Sequence, residues 1–364
     1  MTGRNRLMFY VRRALWIFVS WVLLSLLIFF YDYITLLSNR ALTSDYDLTS
    51  ALTAYLIVSI SAAIVGGTIT VNIMEYWLRR FAFWKALVLI VVVYTLVAVL
   101  LGALGSLYLS GQELDLPMFH EEVVEELFHF FGKAIFVKNY IIWLLIVLAT
   151  LIVLMVNDKF GPGVFPDYLK GKYFRPKRER RIFMFADVKD ATTHAENLGE
   201  AKYFNFLKDF FKHITPAIIE TKGEIYQYVG DEIVVSWKMK NGLRKGNAIR
   251  CFYMMKELLL QKSEYFQNTY DCLPTFKVGF HFGPVMVGEM GQVKREIAFS
   301  GDVLNTTARI QAKCNELGVD ILASEAFSQL NYALPKGIRV LPMGPQSLKG
   351  KAEPVHLVSF GNEN

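Results

Sequence analysis

Four long runs without a charged residue constrain this chain more than anything else in it. Residues 14–31 hold 18 uncharged residues between Arg13 and Asp32, 48–74 hold 27, 86–112 another 27, and 139–157 hold 19. A hydrocarbon layer about 30 Å thick takes roughly 20 helical residues to cross. Within lipid only helices or closed barrels satisfy their own backbone polar groups. The runs therefore predict four transmembrane helices. A signal peptide is the rival for the first run, but no small-residue cleavage site follows it, so it counts as a span. Trp16, Trp77, Trp84, Tyr140 and Trp143 fall near the run ends, where amphipathic rings favour the membrane interface.

Basic residues set the orientation. Arg4, Arg6, Arg12 and Arg13 precede the first span, and Arg79, Arg80 and Lys85 lie between the second and third. The other two loops are acidic, with Asp45 and Asp47 in one and Glu113, Asp115, Glu121, Glu122, Glu125 and Glu126 in the other. The positive-inside rule then places both termini in the cytoplasm, as a multi-pass protein of the inner membrane. In the second acidic loop, Glu122, Glu125, Glu126 and His129 share one helical face and suit a cation. The same stretch suits an amphipathic helix on the outer leaflet, with Leu127, Phe128 and Phe131 dipping in; this second reading needs no ligand and is the expectation.

The remainder is a different kind of chain. With 53% hydrophobic and 20% charged residues overall, disorder and a small disulfide scaffold are excluded. Cys251, Cys272 and Cys314 are odd in number and lack CxxC spacing, so they read as reduced thiols. A net charge of +6 is mild for a nucleic-acid binder, and no accompanying fold signature supports one. Residues 158–181 form a link punctuated by Pro162, Pro166, Pro176, Gly161, Gly163 and Gly171, which forbid one continuous helix. Lys170, Lys172, Arg175, Lys177, Arg178, Arg180 and Arg181 make it basic, as expected beside anionic headgroups.

From residue 182 onward strand and helix signals alternate. Ile182–Val188 is a buried-strand run. Phe204, Leu207, Phe211, Ile214 and Ile218 repeat at helical spacing. Glu224–Val229 and Ile233–Trp237 flank Gly230-Asp231-Glu232 in a hairpin pattern. Residues 246–262 read as helix. Phe276–Phe282 alternates as a strand, and Gly283-Pro284 is expected to turn it into Val285–Gly288. A helix is expected after Ser300-Gly301-Asp302, with short strands at 338–342 and 355–360. The fold class is α+β: four transmembrane helices (1–157), a basic Pro/Gly linker (158–181), and an α/β sandwich (182–364) large enough for its own core.

Two carboxylates stand out. Asp187 ends an apolar strand and Asp231 sits at a hairpin tip; on neighbouring strands they would converge. Paired carboxylates without His or Cys suit hard cations such as Mg²⁺ or Mn²⁺, which share phosphate oxygens with a nucleotide. The polar turn Val188–Thr193, Thr192 included, opens a helix whose backbone N–H groups suit phosphate. Taken singly, Asp187 fits a helix cap and Asp231 a turn residue equally well. Asn305 and Arg309, four apart, project from one helical face. A neutral donor beside a guanidinium fork suits a phosphate whose charge grows in a transition state; on their own they would be a solvated face.

Together these segments resemble the catalytic domain of class III nucleotidyl cyclases, the adenylate and guanylate cyclases, over about residues 180–360. Phe185-Ala186-Asp187 is similar to the family's first metal motif and Val229-Gly230-Asp231 to its second. Val278-Gly279-Phe280-His281-Phe282-Gly283-Pro284-Val285 followed by Gly288 resembles its glycine-punctuated hairpin. Ser300–Arg309 resembles its transition-state helix, and Leu348-Lys349-Gly350-Lys351-Ala352-Glu353-Pro354-Val355 its closing segment. The five motifs occur in the family's order.

The resemblance implies a reaction. Asp187 and Asp231, with Val188 beside them, would bind two divalent cations (Mg²⁺ or Mn²⁺). Asn305 would orient the ribose, Arg309 would stabilise the α-phosphate, and Lys349 would hold the distal phosphates of a nucleoside triphosphate. In the family the acid pair and the Asn/Arg pair of one site come from different subunits, so a head-to-tail homodimer with two equivalent sites is implied. The positions where the family reads its purine are Gln227 and Ala298 here. A Gln amide can face adenine or guanine, and Ala298 offers no hydrogen bond. By analogy with bacterial-type membrane cyclases the expected substrate is ATP; guanylate cyclase is the alternative, and an inactive nucleotide-binding signalling module the next. Val229–Ile233 also mimics the Gly-Gly-Asp-Glu-Phe hairpin of diguanylate cyclases, where Asn305, Arg309 and Lys349 have no place. At Asp190-Ala191 the family often has Gly-Phe.

Overall fold

The computed structural model describes residues 3–42, 46–72, 83–160, 171–293, 295–330 and 332–362. They form two compact units, divided in sequence between Val156 and Asn157. Asp45, Trp77, Arg79, Arg80, Gly161, Pro162, Gly163, Pro166 and Lys170 lie outside the described residues.

The first unit is helical: α1 Gly3–Ser38, α2 Leu48–Asn72, α3 Phe83–Leu114, α4 Glu121–Gly132 and α5 Ala134–Phe160. Among the described residues, four stretches are long and apolar enough to cross a membrane: Arg13–Ser38, Leu48–Thr70, Leu87–Gln112 and Phe136–Val156. Trp16 and Trp84 are exposed, as interface anchors require. Trp143 behaves differently. It packs edge-on to Trp21 at 4.9 Å inside the bundle, and Trp21 Nε1 donates to Thr150 Oγ1 at 2.9 Å. Tyr140 likewise pairs its hydroxyl with Thr95 at 2.8 Å. Residue position near a run end was an incomplete guide: Tyr140 has a hydroxyl partner in Thr95, and Trp143 is held inward by edge-on and tilted ring packing on Trp21 and Tyr94. In α4, Phe128 is exposed, and Phe131, half-buried, packs edge-on to Phe136 at 4.8 Å.

The second unit is an eight-stranded sheet with helices on both faces. Its strands are β1 Lys177–Val188, β2 Glu224–Val229, β3 Glu232–Lys238, β4 Phe276–Met290, β5 Glu296–Ser300, β6 Ile321–Ser324, β7 Ile338–Gln346 and β8 Val355–Asn362. They run in the order β2-β3-β1-β4-β6-β8-β7, with β5 paired to β4. The helices are α6 Ala191–Leu198, α7 Glu200–Glu220, α8 Asn247–Leu260, α9 Ser263–Tyr270 and α10 Asp302–Glu316, with short helices at Met239–Leu243 and Glu325–Ser328. β1 is central, and its alternation decides the architecture. Ile182, Met184, Ala186 and Val188 join the core under α7 and α8. Phe183 and Phe185 join the opposite core, against Val303 and Leu304 of α10. Asp187 follows in that second register, so it emerges on the α10 side.

Three expectations need correction. The buried stripe of α7 is Phe206, Phe210, Ile214 and Ile218, a clean i, i+4 series, while Phe204 is 70% exposed. β4 does not turn at Gly283-Pro284 but runs on as one strand. Pro284 is tolerated because residues 281–285 have β1 on one side and no strand on the other. β1 begins at Lys177, inside the expected linker, and Arg181 is a buried member of it, 1% exposed. Arg181 donates to Glu179 at 2.9 Å, Glu224 at 2.6 Å and Ser236 at 3.0 Å, and its guanidinium lies 4.8 Å from the Phe299 ring centre. Paired carboxylates, not headgroups, hold this cation.

Candidate active site

The register of three strands assembles the acidic end. Asp187 lies directly opposite Glu232 on β3 and opposite Lys277 on β4. Directly opposed residues share a sheet face, so all three side chains rise on the α10 side. Asp231 precedes Glu232 in the two-residue loop between β2 and β3, where Gly230 takes φ +62° so that the hairpin can close tightly. Asp187 and Asp231 thus come together: burial raises the Asp231 carboxyl, and a hydrogen bond to Asp187 with repulsion from its charge raises it further. Burial, then the charges of Asp187 and Asp231, push the Glu232 carboxyl up to about 7.

Two neighbours grip Asp187. Lys277 Nζ lies 3.3 Å from Asp187 Oδ2, and Gln311 Nε2 of α10 donates to the same oxygen at 3.1 Å. α10 can lie this close because position 279 is glycine. A Cβ there would sit 2.5 Å from the Gln311 backbone N and 2.7 Å from its Cα. Val188 has its side chain in the core, so only its main-chain carbonyl is available to an ion. Asp190 adopts φ +53°, the left-handed region that Gly or a short polar residue enters most cheaply. The family's Gly is therefore replaced here without losing the turn into α6. Thr192 is exposed on its first turn.

The donor set fits a divalent cation. It is all oxygen, and its carboxylates repel one another, which a cation would relieve. Among the described residues no three His, Cys, Asp or Glu side chains converge on one ion site. Water and substrate oxygens would complete the coordination, as is usual for Mg²⁺.

The second half of the constellation lies along α10. Asn305 is exposed and Arg309 half-buried, one turn apart. Among the described residues no hydrogen bond or ion pair joins either to Asp187 or Asp231. Arg309 instead meets the closing segment: at Gly350, with φ +74°, a Cβ would stand 3.3 Å from Arg309 Nη2. Lys349 is exposed beside it. Lys351 pins the segment by pairing with Asp302 at the start of α10, which holds the Asp302 carboxyl below its usual range. Gln227 is exposed on β2 and Ala298 half-buried on β5. They flank one contact: a bulge between Ile225 and Gln227 turns Tyr226 inward, 4.8 Å edge-on to Phe299. His281 is not part of the acid cluster. Its Nδ1 lies 2.7 Å from Ser324 Oγ, and burial, then the Lys351 charge, push it down to about 4.

Glu232, Lys277, Gln311 and Lys351 were not singled out from the sequence. Glu232 and Lys277 were within reach of it, since the hairpin register fixes the first and the alternation of β4 the second. Gln311 needed the α10 packing.

This fold and acid–helix arrangement define a nucleotide-cyclising class. The Adenylate and Guanylate cyclase catalytic domain matches residues 176–359, and the chain belongs to that family. It is 28% identical over 208 residues to Adenylate cyclase 2 of Rhizobium meliloti (strain 1021), covering 57% of each chain. It is 26% identical over 210 residues to an adenylate cyclase of Anabaena cylindrica, 56% of this chain and 41% of that one. The chain thus spans a little more than half the length of the first relative and less than half of the second. In fold it is similar to a bacterial light-regulated adenylyl cyclase, with a TM-score of 0.53 at 20% identity over 60% of this chain and 64% of that one.

Proposed function

We propose that the chain is a membrane-anchored adenylate cyclase that converts ATP to 3′,5′-cyclic AMP and pyrophosphate. One observation carries this reading: Asp187 and Asp231 come together, while among the described residues no hydrogen bond or ion pair joins Asn305 or Arg309 of the same chain to them. The two pairs serve a site shared between copies, so the working unit is a head-to-tail homodimer. Names of the relatives above favour ATP.

Asp187 and Asp231, with the Val188 carbonyl, would hold two divalent cations, whose positive charge would make the ribose 3′-hydroxyl more acidic and offset the charge of the triphosphate. The partner's α10 supplies the rest: its Asn305 equivalent orients the ribose, and its Arg309 equivalent meets the α-phosphate as charge grows. Lys349 and the backbone donors of the turn before Thr192 hold phosphate oxygens. The 3′-oxygen forms its bond to the α-phosphorus, the bond to the bridging oxygen breaks, and pyrophosphate leaves with that electron pair. The hydroxyl proton passes to water.

Guanylate cyclase is a second reading, favoured by one feature. Gln227 is exposed with an amide that can present either polarity to a purine, and Ala298 adds no discrimination. The apolar helices would anchor the unit with both termini cytoplasmic. The test is incubation of the purified protein with Mn²⁺ and each of the four nucleoside triphosphates, with products identified by mass. Cyclic AMP from ATP is expected; cyclic GMP alone supports the second reading, and no cyclic product overturns both.

A further inference from the structure

Gln311 and Arg309 are two residues apart on α10, so at 3.6 residues per turn their side chains leave the helix roughly 200° apart. Arg309 is on the face shared with Asn305. Gln311 is 5% exposed and lies against β4 with Thr307, Ile310 and Cys314, which are also buried. Its Nε2 donates to Asp187 Oδ2 at 3.1 Å, the oxygen that Lys277 also approaches at 3.3 Å. Gly279 allows no gap between α10 and β4, so the amide has little freedom to leave. A single helix therefore touches Asp187 of its own chain through one face and presents Asn305 and Arg309 from another.

We propose that Gln311 is a positioning residue for the metal-binding half of its own chain, setting the orientation of Asp187 through this hydrogen bond. The proposal rests on the shared-cleft reading above, and it makes α10 a mechanical link. Through Gln311 it serves one cleft of the dimer, and through Asn305 and Arg309 it serves the other. Hydrogen-bond partners that orient a metal-binding carboxylate typically change metal affinity by about 10–100-fold when lost.

Two measurements on the full chain in detergent test it. The first is Mn²⁺ binding without nucleotide, read from loss of the free-ion EPR signal. Gln311→Met keeps length and removes the donor, and Gln311→Asn keeps the amide but falls a methylene short. Both are expected to weaken Mn²⁺ binding by about tenfold or more, with melting temperature in metal-free buffer near wild type and turnover recovering at saturating Mn²⁺. Unchanged Mn²⁺ affinity in both variants, or no Mn²⁺ binding by the wild type, overturns the proposal. The second is co-expression. Gln311→Met is expected to regain activity with Arg309→Ala, since one cleft of the mixed dimer is then intact, but not with Asp187→Ala. Regain with Asp187→Ala in place of Arg309→Ala would assign Gln311 to the opposite cleft and overturn it. An Asp187→Ala and Arg309→Ala mixture that stays inactive would sink the shared cleft instead, and the Mn²⁺ measurement would still judge Gln311.

Discussion

Asp187 and Glu232 face each other directly across β1 and β3, two acids where a sheet ordinarily places a compatible pair. Burial, then the charges of Asp187 and Asp231, raise the Glu232 carboxyl to about 7 from an ordinary value of 4.5. A raised carboxyl means the folded state binds more protons than the unfolded state between those values. Its stabilising contribution is full below about pH 4.5 and is lost as pH rises through about 7. In metal-free buffer the melting temperature is expected to fall between pH 5 and about 7.5, and Glu232→Gln to flatten that fall. Mn²⁺ should raise the melting temperature more at the higher pH, where it does not compete with protons. Equal slopes in wild type and Glu232→Gln, by differential scanning fluorimetry, would refute the assignment.

The separation of the acid pair from Asn305 and Arg309 predicts complementation. Asp187→Ala and Arg309→Ala should each lower turnover by about a hundredfold or more. Co-expressed, they should recover about a quarter of wild-type activity, since random pairing makes about half the dimers mixed, each with one intact cleft. Recovery is read as cyclic product per mole of protein at equal expression. A mixture that stays inactive, although cross-linking shows mixed dimers, contradicts the shared cleft.

Base choice is predicted to be weak and improvable. Gln227 and Ala298 flank the Tyr226–Phe299 contact, so a change at both acts at one place on the sheet. Gln227→Lys with Ala298→Asp should raise the ratio of kcat/KM for ATP over GTP by about tenfold or more, because a wrong base then leaves polar groups unpaired. An unchanged ratio would place purine reading elsewhere.

Much of this arrangement was legible from residue order, for physical reasons that differ by element. The four apolar runs read directly, because lipid permits so few backbone solutions. The β2–β3 hairpin read to the residue at Glu224–Val229, because Gly230 marks its turn. β5 and β6 were missed: Glu296–Ser300 and Ile321–Ser324 are five and four residues long, too short for periodicity to show. β4 was split in two because Gly283-Pro284 signals a turn locally, whereas the missing neighbour strand that tolerates it is a tertiary fact. In the site, Asp187, Asp231, Asn305 and Arg309 stood out as residue types in a pattern. Gln311 did not, since a glutamine inside a helix acquires meaning only from Gly279 beneath it. The α7 stripe was misplaced because phenylalanines at 204, 206, 210 and 211 fit more than one helical face, and packing alone selects 206 and 210.

Gly350 brings the closing segment against Arg309 of α10, and its substitution separates geometry from charge. Its φ of +74° is a conformation that costs a residue with a Cβ about 1–2 kcal/mol. The added methyl would also stand 3.3 Å from Arg309 Nη2, close enough that the guanidinium must shift. No charge is removed, and Lys351 still pairs with Asp302. Gly350→Ala is therefore expected to fold, with a melting temperature only a few degrees lower, and to lose about tenfold or more in kcat through misplacement of Arg309. KM for the nucleotide should change less if, as proposed, Arg309 meets charge that develops after binding. Lys351→Ala separates the two causes: it releases the segment without crowding Arg309, so a smaller loss in kcat is expected. If Gly350→Ala raises KM and leaves kcat intact, the segment acts on ground-state phosphate binding, and Arg309 is not the group it positions.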